Sequence, residues 1–292
     1  MKKGNGKQIQ GENSELSEDV IMSLIKNGNP ITDDMRDKLY LDDINRLLDT
    51  IIPKSIMEQA ERLEKDSNKS ETGLKRQMIK LIYGTKDTTT VREKIISKIA
   101  GIVGHVWAAK YFKDEGYDVE NEVDIVDKNG KKITASDIVL TSKDGTKKYV
   151  EIKTIKALIS NQDDYPYGTL VEGKQIPREL YTDLKRSSLE SIAVETGEKA
   201  QKQLKLTKKY LDEIGEKNAS VSLCIYDGVT ISDDVKQGIK GAGDIIILPL
   251  NIDKIFEYSS LLVDTILYKG RNILNPPKGE QKRDICIPDL DI

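Results

Sequence analysis

The segment SDIVLTSKDGTKKYVEIKT, residues 136–154, gathers side chains that could do hydrolytic chemistry. Asp137 opens one strand of a hairpin, and Glu151 and Lys153 lie two apart on the next. Successive strand side chains point to opposite faces, so Glu151 and Lys153 share one face while Val150 and Ile152 share the other. A turn at Asp144-Gly145 brings Asp137 close to the Glu151 end of its partner strand. Two carboxylates so placed raise one another's pKa unless a cation sits between them. Mg²⁺ is commonly held by one or two carboxylates, with waters and a substrate phosphate completing its shell. Asp137 and Glu151 are therefore the expected metal ligands, with Mg²⁺ as cofactor and Mn²⁺ as a substitute. Lys153 beside such a metal would orient, or help deprotonate, an attacking water.

Composition narrows the alternatives. The 292 residues include one His, His105, and two Cys, Cys224 and Cys286. A Ser-His-Asp or Cys-His mechanism would have to run through His105 alone. A zinc site needs His or Cys clusters, which this sequence does not supply. Two Cys 62 residues apart do not read as a disulfide framework. The first ten residues are polar and no apolar run reaches about 18 residues, so the expectation is a cytoplasmic protein with no membrane partner. No organic cofactor is expected.

The elements that must position these residues follow from periodicity. Residues 1–86 read as an all-helical N-terminal region: a helix from Ser17 to Gly28, a second from Thr32 or Asp33, a third through DDINRLLDTII ending near Pro53, a fourth over 55–65, and a short basic helix in GLKRQMIKLIYG. From residue 87 a helix of about 25 residues is expected. Its apolar stripe is Val91, Ile95, Ile99, Ile102, Val103 and Val106. A separate small-residue stripe, Gly101, Gly104 and Ala108, would admit a neighbouring backbone. Three strands follow, turned at DKNG and KDGT. Residues 155–187 look irregular, with a helix start at IPREL. A helix over about 188–215, strands in NASVSLCIYDG and GAGDIIILPLN, a last helix and an extended tail complete the chain. This order predicts an α/β mixed-sheet core flanked by helices. The divisions are 1–86, a core at 87–258 with an insertion at 155–187, and 259–292.

Ser136-Asp137, a gap of thirteen residues, and Glu151-Ile152-Lys153 together resemble the PD-(D/E)xK nuclease superfamily, the restriction endonuclease-like fold. The resemblance spans about residues 90–258 and implies a metal-dependent endonuclease acting on DNA. Some members carry a Gln on the helix after the E-x-K strand. Gln203 matches it, on a face with Ala200, Leu204, Thr207, Tyr210, Leu211 and Ile214. Members often have a Glu on the first helix as a further metal ligand. The segment GIVGHVWAAKYFKDEGYDV resembles GxxGExxAxxYLxxxGY, with His105 where that Glu would stand. Glu93, three turns earlier, is the substitute ligand the resemblance suggests. His105 reads as a weak ligand, a DNA contact, or a satisfied polar residue at a helix edge.

Net charge is −3, yet between Lys65 and Lys113 eleven basic side chains face four acidic ones. A nearly neutral chain with a basic segment can still bind a phosphate backbone. Lys199, Lys202, Lys205, Lys208 and Lys209 add a lysine-rich helix face, either a solvated surface or a phosphate-binding stripe. The expected function is a Mg²⁺-dependent endonuclease of the type II restriction class, with DNA as partner and a homodimer able to cut both strands. A DNase toxin and a recombination or repair nuclease are the alternatives within that fold. A nuclease-like module that binds nucleic acid without cutting it is the alternative from another class.

Overall fold

The structure is a computed structural model that describes residues 33–65, 73–83, 88–127, 129–160, 169–171, 174–176 and 183–274. The helix expected over 17–28, the IPREL helix start and the C-terminal tail lie outside the described residues. Four helices come first: α1 (Asp33–Ile51), α2 (Lys54–Lys65), α3 (Leu74–Tyr83) and α4 (Thr88–Asp114). The two helices expected over 33–52 are one. Nothing between Asp33 and Ile51 breaks a helix, and Pro53 ends it. Gly116 closes α4 at φ 91°, with its N–H on the Lys113 carbonyl and that of Tyr117 on the Phe112 carbonyl, a Schellman pattern that needs left-handed backbone.

The sheet is built from β1 (Asp118–Val126), β2 (Lys132–Thr141), β3 (Lys147–Ile152), β7 (Ala219–Asp227) and β9 (Asp244–Asn251), in spatial order β1-β2-β3-β7-β9. The first three form the expected antiparallel meander; β3/β7 and β7/β9 run parallel. Between β3 and β7 lie β4 (Ala157–Leu158), the small hairpin β5 (Thr169–Val171) and β6 (Lys174–Ile176), and α5 (Asp183–Glu213). The segment expected to be irregular thus holds short strands. β4 pairs in parallel with β8 (Thr230–Ile231), which precedes α6 (Asp233–Lys240); α7 (Ile252–Leu274) follows β9. α6 was not anticipated. Two apolar positions, Val235 and Ile239, are too few to show a period, although Asp233 and Asp234 in its first turn suit the helix dipole.

Two apolar layers cover the sheet. On one face, α1–α4 and α7 share a continuous core with Ile138, Leu140, Val150, Ile152, Cys224 and Tyr226. On the other, Ala200, Leu204 and Leu211 of α5 pack with Val235 and Ile239 of α6 on Val221, Leu223 and Ile225. β7 is apolar on both faces, as a covered parallel strand must be. In α4 the stripe Ile95, Ile99, Ile102 and Val103 is buried, but Val91 is 42% exposed. Gly104 does admit a close neighbour, whereas nothing lies within 4 Å of a Cβ built at Gly101. Among the described residues no helix is long and apolar enough to cross a membrane.

Candidate active site

The site forms where β2 parts from β3. Their pairing starts at Ile138↔Val150 and runs to Thr141↔Lys147, so Asp137 and Glu151 are the first residues beyond the paired segment. At that fork side chains take over from the backbone ladder. The Ser136 hydroxyl, buried, has its one proton within reach of two acceptors, the Ile138 carbonyl at 2.8 Å and the Val150 carbonyl at 3.1 Å. The Asp137 carboxylate accepts from the Ile152 backbone N–H at 2.6 Å. Lys153 N–H donates to the Cys224 carbonyl at 2.9 Å, extending the β3/β7 ladder by one residue. Asp137 is thereby fixed against the backbone between Glu151 and Lys153.

Glu151 is 5% exposed and forms an ion pair with the Lys153 ammonium two residues on. Burial pushes its pKa up to about 7; the Asp137 charge pushes the same way, Lys153 opposes, and Glu122 adds a smaller upward push. The two expected ligands are thus electrostatically in contact, and the buried one is held well above the ordinary carboxylate range even with Lys153 beside it. The expected roles of Asp137, Glu151 and Lys153 fall at one place in the fold.

Gln203 reaches the same region from α5. Its amide donates to the Ala135 carbonyl at 3.2 Å, two residues before Asp137. On that helix face Ala200, Leu204, Thr207 and Leu211 are buried, while Ile214, just past the helix end, is 47% exposed. Of the lysines opposite, Lys199, Lys208 and Lys209 pair with carboxylates one turn away on α5 itself. Glu93 is not brought to the site. It is exposed and lies twelve residues from His105 on the same helix, about 18 Å at 1.5 Å per residue. The substitute ligand suggested by the resemblance therefore lies about three helical turns from His105, the position where the motif's acid would stand.

His105 is a buried polar residue with partners. Its Nε2 lies 3.3 Å from Asn121 Oδ1 and its Nδ1 3.4 Å from Glu122 Oε1. Burial lowers its pKa; the Asp137 charge and the Asn121 hydrogen bond oppose this, and the Arg62 charge adds to it. A neutral imidazole donates from one nitrogen only. With Asn121 Oδ1 turned toward the ring, a neutral imidazole meets it as donor through Nε2–H, and Nδ1 faces Glu122 Oε1.

Glu122 is the residue that sequence reasoning missed. On β1 it is bracketed by Asn121↔Ile138 and Val123↔Ser136, which sets it across from Asp137. The row Glu122, Asp137, Glu151 then crosses three adjacent strands. The register set by the DKNG turn could have revealed it. Its backbone could not have been anticipated: φ is 51°, in the left-handed region that costs a non-glycine residue about 1–2 kcal/mol. The Gln59 amide of α2 donates to Glu122 Oε1 at 3.2 Å, so the N-terminal helices reach the site directly. Among the described residues no group of three His, Cys, Asp or Glu side chains is arranged to hold a metal ion. The donor set available to one is the pair Asp137 and Glu151. No protein-family profile, curated protein or solved structure matches the chain.

Proposed function

We propose that this chain is a metal-dependent endonuclease with the restriction endonuclease-like PD-(D/E)xK fold, hydrolysing DNA phosphodiester bonds as a type II restriction enzyme. The observation that carries the reading is the Asp137 carboxylate held on the Ile152 N–H, between Glu151 and Lys153, at the fork of two adjacent strands. The antiparallel meander followed by a parallel strand supports it.

The residues fit a divalent cation. Two hard oxygen donors repel each other, and the buried one is raised to about 7 although Lys153 is paired with it, an electrostatic imbalance a Mg²⁺ ion would relieve. Asp137 and Glu151 would hold it. When bound, the ion supplies charge for the scissile phosphate and a water of lowered pKa. Lys153, ion-paired to Glu151, then has a donor for the attacking water or a phosphate oxygen within reach of the same carboxylate. Gln203 holds the start of β2 through Ala135 and so supports Asp137. The helical N-terminal region and the 155–187 insertion are additions to the core of the kind that carry target recognition and dimer contacts, which favours restriction over a DNase toxin or a repair nuclease.

A second reading has its own support. His105 stands where a further acid would be, and Glu122 is engaged by His105 and Gln59; a nuclease-like module that binds nucleic acid without cutting it would look the same. Incubation with plasmid DNA and Mg²⁺, with EDTA and Glu151→Ala as controls, decides. Discrete bands that vanish in both controls are expected. A smear means a nuclease without site preference. Intact plasmid with retained, salt-sensitive binding supports the second reading and refutes the first.

A further inference from the structure

Three carboxylates, Glu122, Asp137 and Glu151, face the fork, and Lys153 is committed to Glu151. A polyanion approaching this place meets net negative charge until a divalent cation binds, and even then three carboxylates, Lys153 and the ion leave no net positive charge to attract it. Many basic side chains of the 65–113 segment are already engaged. Lys75 pairs with Asp49, and Arg92 holds Asp264 through two hydrogen bonds at 2.7–2.8 Å and Ser260 through a third. Arg62 differs. It is exposed, and no ion pair joins it to a carboxylate among the described residues. It lies three residues from Gln59, on the same side of α2, and Gln59 is buried and bonded to Glu122. The Arg62 charge is felt at His105, which is itself 3.4 Å from Glu122.

We propose that Arg62 is a substrate-binding residue: its guanidinium takes a backbone phosphate of the nucleic acid beside the fork, with Gln59 and Glu122 seating α2 there. The inference rests on the nuclease reading above. The site is then assembled from the N-terminal helical region and the sheet together, and the recognition surface begins on α2. Arginine suits this task because its planar fork of donors matches two phosphate oxygens.

The test uses the full chain and compares Arg62→Ala, Arg62→Lys and, as a control on the same helix, Lys54→Ala, whose side chain is solvent-exposed and paired with Glu58. Cleavage of a duplex is followed at rising substrate and salt concentrations, with binding of the same labelled duplex measured by fluorescence anisotropy. Arg62→Ala should weaken binding and raise KM about tenfold, as loss of one charge-assisted hydrogen bond does, with kcat little changed. Its salt dependence should be shallower by about one. Arg62→Lys should restore most of the salt slope but only part of the affinity, and Lys54→Ala should behave as wild type. Equal affinity and equal salt slope for wild type and Arg62→Ala would overturn the assignment even if both cut DNA. Binding that depends on Arg62, in a protein that cuts nothing, would leave the assignment standing and remove the nuclease reading.

Discussion

The Asp137 carboxylate accepts a hydrogen bond from the Ile152 N–H at 2.6 Å, and Ile152 is the residue between Glu151 and Lys153. The acid of one strand is thereby coupled to the spacing of the two charged residues on the next. The bond replaces a ladder bond that β2 and β3 no longer make beyond Ile138↔Val150. Asp137 has both a structural and a chemical task, and they can be separated. Asp137→Asn keeps an acceptor oxygen and should cost under about 1 kcal/mol of stability. Asp137→Ala orphans the N–H and should cost about 1–3 kcal/mol. Both should abolish cleavage. Urea unfolding alongside plasmid cleavage makes the comparison, and residual cleavage by Asp137→Asn would show that the carboxylate is not a ligand.

Glu151 gives a pH dependence with a definite sign. Its pKa rises from the ordinary 4.5 to about 7 on folding. Between those values the folded chain binds more protons than the unfolded one, so this group's contribution to stability falls as pH rises through that window and stays low above it. Glu151→Gln cannot ionise. It should lack this decline and be more stable than metal-free wild type at pH 8, by on the order of 1–3 kcal/mol. Added Mg²⁺ should raise the melting temperature of wild type at pH 8 and leave Glu151→Gln little changed. A variant no more stable than wild type at pH 8 would show that Lys153 already neutralises the carboxylate.

The elements that carry these residues were legible because their signals are local. Asp-Gly and Asn-Gly turns set the meander, and the alternation Val150-Glu151-Ile152-Lys153 assigned faces that the buried layers respect. The fork itself was not legible. It depends on where β2 stops pairing with β3, a register that packing decides. Glu122 escaped for a related reason. It is a left-handed residue within a strand, against its intrinsic preference, and its second partner, Gln59, arrives from a helix sixty-three residues away in sequence. Glu93 was placed at the site by analogy along one helix, and the length of that helix separates it.

Gln203 acts as a positioning residue in the proposed reaction. Its amide bonds the Ala135 carbonyl, not the carboxylates, so its effect must pass through the start of β2. Gln203→Ala should reduce kcat about tenfold, the lower end of what outer-shell partners of a metal site contribute, with a stability loss near 1 kcal/mol. The apparent Mg²⁺ requirement should rise with it, because a looser β2 holds Asp137 less well. An unchanged Mg²⁺ dependence with reduced kcat would instead place Gln203 on the substrate.

Two glycines of α4 provide a matched test of how the helix seats against the site. A Cβ at Gly104 would collide with the Thr154 side chain and lie 2.9 Å from the Tyr226 hydroxyl, which itself donates to the Gly104 carbonyl. Thr154 directly follows Lys153, so any displacement there is passed to the E-x-K strand end. Gly101, one turn earlier, has nothing within 4 Å. Gly101→Ala should stabilise the chain by about 0.5–1 kcal/mol through helix propensity and leave cleavage intact. Gly104→Ala carries the same propensity gain but should destabilise by about 1–3 kcal/mol through overpacking. It should also lower kcat, since Lys153 is moved relative to Glu151. Thermal unfolding and cleavage of both variants read this out. Equal stabilisation by the two would mean that α4 does not press on the end of β3.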